Sequence, residues 1–385
     1  MKILFVNEKC GYFGGVEQNI VDSASGLKCR EHKCYLAYKS VTTRDTGKFK
    51  EHFNDCFPCT DFGSEPGDSL QKIIYSVQPD VIYLHKISDI APFQQVPAKI
   101  RLVRMVHDHD LCCPRRHKYF LISGRICRHK ADWRCWLDIA FVEKNNSSYR
   151  IVSINRKLQE MRRNYILHKL LVGSRFMKEE LLQNNFPEDK VFILSPVVRM
   201  TDPVLSPVPD EPDILFVGQL IRGKGVDLLL KALKNISCRF SAYIVGTGNA
   251  EDKLKALCSK LGLEDRVKFT GWVAHERLGE FYSSARVVVV PSRWPEPFGM
   301  IGIEAMRHGR PVVGFDTGGI PDWLKHGTSG FLVPGQDALS MAKAIEHILL
   351  DTPLAARMGE NALKDVRKKY SFESYLDQLE SHLRT

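Results

Sequence analysis

Short apolar runs alternate along the whole chain with stretches whose apolar residues recur at helical spacing. In the first half, "KILFVN", "CYLAYK", "VIYLH", "IRLVRMVHD", "KLLVGS" and "VFILSP" have the length and near-continuous hydrophobicity of strands buried on both faces. Between the first two, Val16, Ile20, Ala24 and Leu27 keep a helical period. The second half restarts the pattern with "ILFVGQ", "FSAYIVGTG", "VKFTGW", "RVVVVPS", "PVVGF" and "GFLVPG", separated by helical stretches such as "GVDLLLKALKNI" and "ALSMAKAIEHILL". Parallel strands need crossover connections, and helical crossovers cover both sheet faces, so an α/β architecture is expected twice over.

A chain of 385 residues exceeds what one hydrophobic core ordinarily holds. The break falls in "TDPVLSPVPDEPD", residues 201–213, whose four prolines interrupt both periods. The expected organisation is a first Rossmann-like domain over 1–205, a linker over 206–212 and a second Rossmann-like domain over 213–365. An amphipathic helix within 366–385 is expected to pack across the junction. Two doubly wound domains would face each other across a cleft lined by the carboxyl ends of their strands, where ligands bind in such folds.

Charge narrows the partners. The formal net charge is +10, and residues 101–175 alone hold 17 Lys+Arg against 6 Asp+Glu. Such a segment suits a phosphorylated substrate, a lipid headgroup surface or nucleic acid, or is ordinary solvated surface. Among these, nucleic acid fits poorly, because the second half is nearly neutral and its phosphate-facing residues would sit in a cleft instead of on a stripe. No apolar run reaches the roughly 20 residues that span a bilayer. The opening "MKILFVNEKCGYFGG" lacks the long apolar core and small-residue cleavage site of a signal peptide, so a cytoplasmic location is expected. The basic segment would allow peripheral attachment to the inner face of the membrane. Eleven cysteines, an odd number without scaffold spacing, read as free thiols in a reducing compartment.

Three strand ends of the second half carry chemistry. After "ILFV" comes "GQLIRGKGVDLL", a turn at Gly218 followed by Arg222 and Lys224 just ahead of a helix. Two cations there form a diphosphate clamp. After "SAYIV", Gly246 and Gly248 let a flat or anionic group approach the backbone closely. After "VVVVPS", the loop "RWPEP" runs into a helix starting near Phe298 or Gly299, leaving the N–H groups of Phe298, Gly299 and Met300 without helical partners. Glu296 precedes that helix and Glu304 lies inside it, so the two carboxylates would hold different parts of one extended ligand. A carboxylate facing a vicinal diol accepts two hydrogen bonds, as in nucleotide ribose recognition.

The combination of "GQLIRGKG", "VGTG", "FTGWV" and "PSRWPEPFGMIGIEAMRHGRPVVGFDTGGIPDWLKHGTSGFLV" resembles the retaining glycosyltransferases of family GT4, with the GT-B fold. The opening "GGVEQNI" is similar to the glycine loop of that family's first domain, so the resemblance covers nearly the whole chain. It implies transfer of a sugar from a nucleotide diphosphate sugar with retention, without a catalytic metal. In the family's Glu-x7-Glu motif the second glutamate, here Glu304, holds the donor ribose, and the first, here Glu296, lies by the donor sugar. Arg222 and Lys224 match the phosphate-binding pair, and Gly14 and Gly15 match the glycine loop that approaches the diphosphate. A catalytic histidine at a first-domain strand end matches His107, with His109 as second choice. The expected acceptor is lipid-linked, polysaccharide or small, in bacterial envelope or capsule assembly. A sugar-nucleotide epimerase or phosphorolytic enzyme of the same fold is the competing expectation.

Two further signals lie in the basic segment. Asp108-His109-Asp110 has the form of a metal-binding Asp-x-Asp, which the Arg222 and Lys224 clamp makes redundant. Cys113, Cys127 and Cys135 supply thiolates for a structural zinc, the alternative being free thiols in a hairpin. Arg115 and Arg116, with Lys118, Arg125, Arg128 and Lys130, would receive an anionic acceptor or rest on a membrane surface.

Overall fold

The structure, a computed structural model, describes residues 1–12, 14–42, 45–59, 68–120, 123–137, 142–145, 148–197, 207–211 and 213–385. Two units result, one of Met1–Arg199 with Phe372–Thr385 and one of Met200–Ser371.

In chain order the first unit carries β1 (Lys2–Cys10), α1 (Gly15–Cys29), β2 (Lys33–Val41), α2 (Thr46–Glu51), β3 (Asp55–Pro58), α3 (Asp68–Val77), β4 (Val81–Leu84), β5 (Arg101–Val106), β6 (Val142–Asn145), β7 (Ser148–Ile151), α4 (Ile154–Arg163), β8 (Lys169–Val172), α5 (Arg175–Gln183) and β9 (Val191–Ile193). Seven of these strands form one sheet in the order β3-β2-β1-β4-β5-β8-β9, and every pairing in it is parallel. β6 and β7 form a separate antiparallel hairpin. The six expected strands are all present. The seventh, β3, is the four-residue "DCFP", short, half-exposed and ending in proline, a sequence tolerated at a sheet edge and unreadable as a buried strand.

The second unit carries β10 (Asp213–Val217), α6 (Val226–Leu233), β11 (Ser241–Val245), α7 (Glu251–Lys260), β12 (Val267–Gly271), α8 (Leu278–Ser284), β13 (Val287–Val290), α9 (Met300–Arg307), β14 (Val312–Phe315), α10 (Ile320–Trp323), β15 (Gly330–Val333), α11 (Ala338–Leu350) and α12 (Thr352–Lys369). Its six parallel strands run β12-β11-β10-β13-β14-β15. The valines of β13 are no more than 5% exposed, and fully burying such a side chain contributes about 1.5–3 kcal/mol, so this central strand anchors everything at its ends. In α6 the buried Val226, Leu229, Leu230 and Leu233 form the stripe that joins the helix to the sheet. In both sheets strand order reverses beside the first strand, between β1 and β4 and between β10 and β13. Each unit therefore has a switch point where diverging connections leave a crevice.

Two boundaries differ from expectation. Of the expected linker 206–212, the described residues 207–211 are strapped to the second unit. Fully buried Arg310 donates to Pro207 O at 3.1 Å, and Arg286 donates to Pro209 O at 2.9 Å. The expected helix over 366–385 is the end of α12 followed, after Tyr370 and Ser371, by α13 (Phe372–Arg384), which lies in the first unit. There Tyr375 Oη bonds Ser23 at 2.8 Å and Asn19 at 3.2 Å on α1. Arg30 reaches Glu373, Asp377 and Glu380 at 2.8 to 3.2 Å. Leu376, Leu379 and Leu383 are buried, which is the amphipathic stripe finding its partner. No helix among the described residues is long and apolar enough to cross a membrane.

Candidate active site

The loops after β10 and β13 meet at the switch point of the second unit. After β13 the chain runs through Ser292 to Phe298 into α9, and after β10 it runs through Gly218 into a single 3-10 turn, Arg222–Lys224. Arg293 N and Trp294 N both donate to Gly223 O, at 2.9 and 3.0 Å. The Arg293 guanidinium holds both oxygens of Asp227, at 3.1 and 2.8 Å, and the Arg222 carbonyl at 3.1 Å. Gly225 follows in the left-handed region, where a Cβ would stand 1.9 Å from Pro291 O.

This docking brings two expected site residues onto each other. Lys224 Nζ is 2.7 Å from Glu296 Oε1, the same oxygen that accepts from Ser292 Oγ. Glu296 is 4% exposed. Burial pushes its pKa up, but the Lys224 charge and the bonds from Lys224, Ser292 and Trp294 outweigh it and hold the carboxyl below its ordinary value. Glu296 is therefore an ionised acceptor that fixes the Lys224 ammonium. Lys224 also lies over the Trp294 ring, 5.6 Å from its centroid, while Arg222 is exposed.

Glu304 sits on α9 with Tyr282 Oη donating to its Oε2 at 2.8 Å. Burial raises the Glu304 pKa against the opposing influence of His275, Tyr282 and Arg307. Tyr282 stacks on His308 at 5.2 Å, so the carboxylate is presented by a packed pair. α9 starts at Met300 with Gly299 at φ 91° before it, and no side chain caps this start among the described residues. Phe298 is buried, its carbonyl taking the Trp323 indole N–H at 2.6 Å. Trp323 thus packs as core under Gly299 and Gly302, while Trp272 stays 48% exposed. At the ends of β10 and β11, Gly218 and Gly246 have φ of 154° and 133°, and a Cβ on Gly246 would lie 1.9 Å from Gly218 O. The backbones touch there because Gly246 has no side chain.

In the first unit, Gly14 and Gly15 open α1, exposed, and Gly14 N donates to Glu17 Oε2 at 3.0 Å. His107 follows β5 as expected, and His85, which sequence reasoning passed over, follows the neighbouring β4. The rings stack at 5.2 Å with His85 Nδ1 and His107 Nε2 2.9 Å apart. One ring donates and the other accepts, which needs at least one neutral imidazole. Burial, then the charge of Lys86, holds His107 down to about 3, and burial and its neighbour hold His85 well below the usual range. Both are neutral at pH 7. The missed signal was in plain view: "VIYLH" ends on a histidine in the same position as "VRMVH".

Two expectations are corrected, and two further sequence signals are placed. His109 is fully buried, its Nδ1 3.5 Å from Cys112 Sγ, and offers no surface to an acceptor. Lys118 is not part of a basic patch, being buried in an ion pair with Glu180 at 2.8 Å; Arg125, Arg128 and Lys130 are exposed, and Arg115 and Arg116 half-buried. Asp108 caps the turn at Asp110 N, 2.9 Å away, and Asp110 pairs with Arg104, so the Asp-x-Asp carboxylates are committed to protein partners. Cys113, Cys127 and Cys135 are free and half-buried, and among the described residues no three His, Cys, Asp or Glu side chains gather as a metal requires. Burial raises the pKa of Cys127 and Cys135.

Residues 201–365 match the family described as glycosyl transferases group 1. The chain is 34% identical over 223 residues to an uncharacterized glycosyltransferase of Methanocaldococcus jannaschii, covering 54% of this chain and 57% of that protein. It is 37% identical over 175 residues to the alpha-D-kanosaminyltransferase of Streptomyces kanamyceticus, covering 44% and 45%. The chain thus spans about half the length of the curated relatives it matches. Among solved structures, HepE of Anabaena in complex with UDP and glucose superposes with a TM-score of 0.75 at 22% identity, over 100% of this chain and 99% of that one. Sucrose-phosphate synthase of Thermosynechococcus elongatus gives 0.77 at 19% identity, over 100% and 98%. Two Rossmann-like units with these neighbours constitute the GT-B fold.

Proposed function

We propose, from the match of residues 201–365 to the group 1 glycosyl transferases, that the protein moves a hexose from a nucleoside diphosphate sugar to an acceptor hydroxyl with retention of anomeric configuration. The observation that carries this reading is the Lys224–Glu296 pair at the switch point, an ammonium held in place by a buried, ionised carboxylate. Support for the donor class comes from the family of the second unit and from the UDP and glucose bound by HepE.

In this reading Arg222 and Lys224 stabilise the departing diphosphate, aided by the uncapped start of α9. Glu304, oriented by Tyr282, accepts from the ribose diol, and neutral His107 exchanges a hydrogen bond with a sugar hydroxyl. The bond from the anomeric carbon to the phosphate oxygen breaks, the bond to the acceptor oxygen forms on the same face, and the acceptor proton passes to the leaving phosphate. Two cations meet the charge a metal would otherwise meet, so turnover is expected to survive chelation.

For the acceptor we favour a lipid-linked, polysaccharide or small hydroxylated molecule of a bacterial envelope or capsule. The exposed Trp133, Trp136 and Leu137 beside Arg128 and Lys130 support peripheral attachment to the inner membrane face, since aromatic residues with flanking cations suit an anionic lipid surface. The test is thermal stabilisation by a panel of nucleoside diphosphate sugars with and without chelator, followed by NMR of the product's anomeric centre. One stabilising donor and a retained configuration are expected. Stabilisation by none, or donor breakdown that needs no acceptor, overturns the proposal.

A further inference from the structure

β4 and β5 pair in parallel, and the residues just past their ends, His85 and His107, set two imidazoles side by side. The backbone of His85 is fixed, because its N–H donates to Val6 O at 2.9 Å. Its ring is fixed too: it is 1% exposed, parallel to Phe5 within 7° and 4.3 Å from the Tyr83 ring. His107 is half-buried, and its one side-chain hydrogen bond among the described residues runs between its Nε2 and His85 Nδ1, 2.9 Å apart. The ring centres are 5.2 Å from each other, close to the most that two imidazoles can reach with nitrogens that near. The bond therefore lies in line with both ring centres, along the direction of a nitrogen lone pair.

One proton lies in that bond, and its owner decides what His107 can offer. If it belonged to His107, neutral His85 would carry its own proton on Nε2, an N–H sealed in the interior with no acceptor among the described residues. If it belongs to His85, Nε2 is a bare lone pair instead, and neutral His107 carries its proton on Nδ1. Orphaned buried N–H groups are the rarer of these two kinds in folded proteins, and each costs its full desolvation. His107 Nδ1 has no partner among the described residues, so an N–H there is left for a ligand.

We propose that His85 is a positioning residue: by donating from Nδ1 it fixes His107 as an Nδ1–H donor, which gives a hydrogen bond to an oxygen of the transferred sugar and takes no proton from the acceptor. The proposal rests on the transferase reading for the identity of the ligand alone; the proton arrangement of the pair stands or falls separately. It also narrows the donor. The group that faces His107 is an oxygen with a free lone pair, and a protonated amino group in that place is rejected, since two donors would meet.

The first measurement needs no substrate and no variant that might misfold. Ring-nitrogen NMR of the isotope-labelled full chain, its 13 histidines assigned by the signals that single variants lose, is expected to show His85 and His107 both as Nδ1–H tautomers. An Nε2–H tautomer at His107 overturns the proposal. The second measurement asks what the bond does. In His85→Asn an amide N–H can replace the ring Nδ1–H, whereas His85→Phe keeps a packed ring and offers no donor. His85→Phe is expected to lower kcat about tenfold or more, with affinity for the nucleoside diphosphate of the donor little changed, and His85→Asn to recover most of the loss. Wild-type kcat in His85→Phe, a loss that His85→Asn does not recover, or an equal fall in nucleoside diphosphate affinity overturns the positioning role. If the wild-type chain turns over no nucleoside diphosphate sugar, the transferase reading fails while the tautomer result keeps its meaning.

Discussion

Lys224 and Glu296 come from loops after two different strands, and their side chains meet at 2.7 Å with the carboxylate nearly sealed from solvent. Removing the ammonium strands a buried charge. Lys224→Met is expected to cost about 2–4 kcal/mol of stability and to lower turnover at least 100-fold. Adding Glu296→Gln should restore most of the stability and none of the turnover. Urea denaturation of the three variants checks this, and equal stability of the single and double variants would contradict the pairing. Because the Glu296 pKa is lowered in the fold, the stability it contributes is fully present above the ordinary carboxylate range and is lost as pH falls from there through the lowered value of the folded state.

The two glutamates should separate kinetically. Glu304→Ala is expected to weaken nucleotide binding about tenfold or more, and Tyr282→Phe by less, since it removes one hydrogen bond to a retained carboxylate. Glu296→Ala should lower kcat more than it raises KM. Full activity in both alanine variants would remove the assignment.

The histidine pair makes a pH prediction. His107 is held near 3 in the fold against 6.5 ordinarily, so the unfolded chain binds the extra proton first. Stability from this pair is fully present above pH 6.5 and declines as pH falls from there toward 3. The unfolding temperature is expected to drop between pH 7 and pH 5, and to drop less in His85→Phe/His107→Phe. An identical acid slope in that variant would show that the pair is not buried neutral.

Gly246 and Gly262 both have positive φ, at 133° and 68°, yet only Gly246 has a neighbour in the way. Gly262→Ala is expected to cost about 1 kcal/mol, the strain of a left-handed alanine. Gly246→Ala must push the ends of β10 and β11 away from each other, and we expect it to cost about 3 kcal/mol or more and to abolish donor binding. Thermal melts with and without donor compare them.

Most of the architecture was legible because both sheets are parallel and buried, so their strands are uninterrupted apolar runs. β3 was not legible, since an edge strand needs no such run. The clustering of Lys224, Glu296, Gly218 and Gly246 at strand ends was legible because glycines, cations and carboxylates after buried apolar runs stand out in the sequence. Their mutual pairing was not: Glu296 lies 72 positions from Lys224, and nothing local in "RWPEP" says that its carboxylate turns back to the other loop. Tyr282 and Arg293 escaped notice for a related reason, as each acts by holding a site residue from another element. The cysteines left two readings open in the sequence, because whether thiols converge is a tertiary property.

The attachment of α13 to α1 has a consequence for how the protein is made. Leu376 fills the space over Gly26, where a Cβ would stand 2.5 Å from its methyl carbon, and Tyr375 is bonded to Asn19 and Ser23. These partners are separated on the ribosome by the synthesis of the entire second unit. The unit begun first must therefore wait, with one apolar surface uncovered, until α13 emerges, while the unit begun second has all its strands and can close ahead of it. A ribosome stalled after Ser371 would present a complete second unit beside an unfinished first one, and chaperone capture of such nascent chains should map to the exposed face of α1.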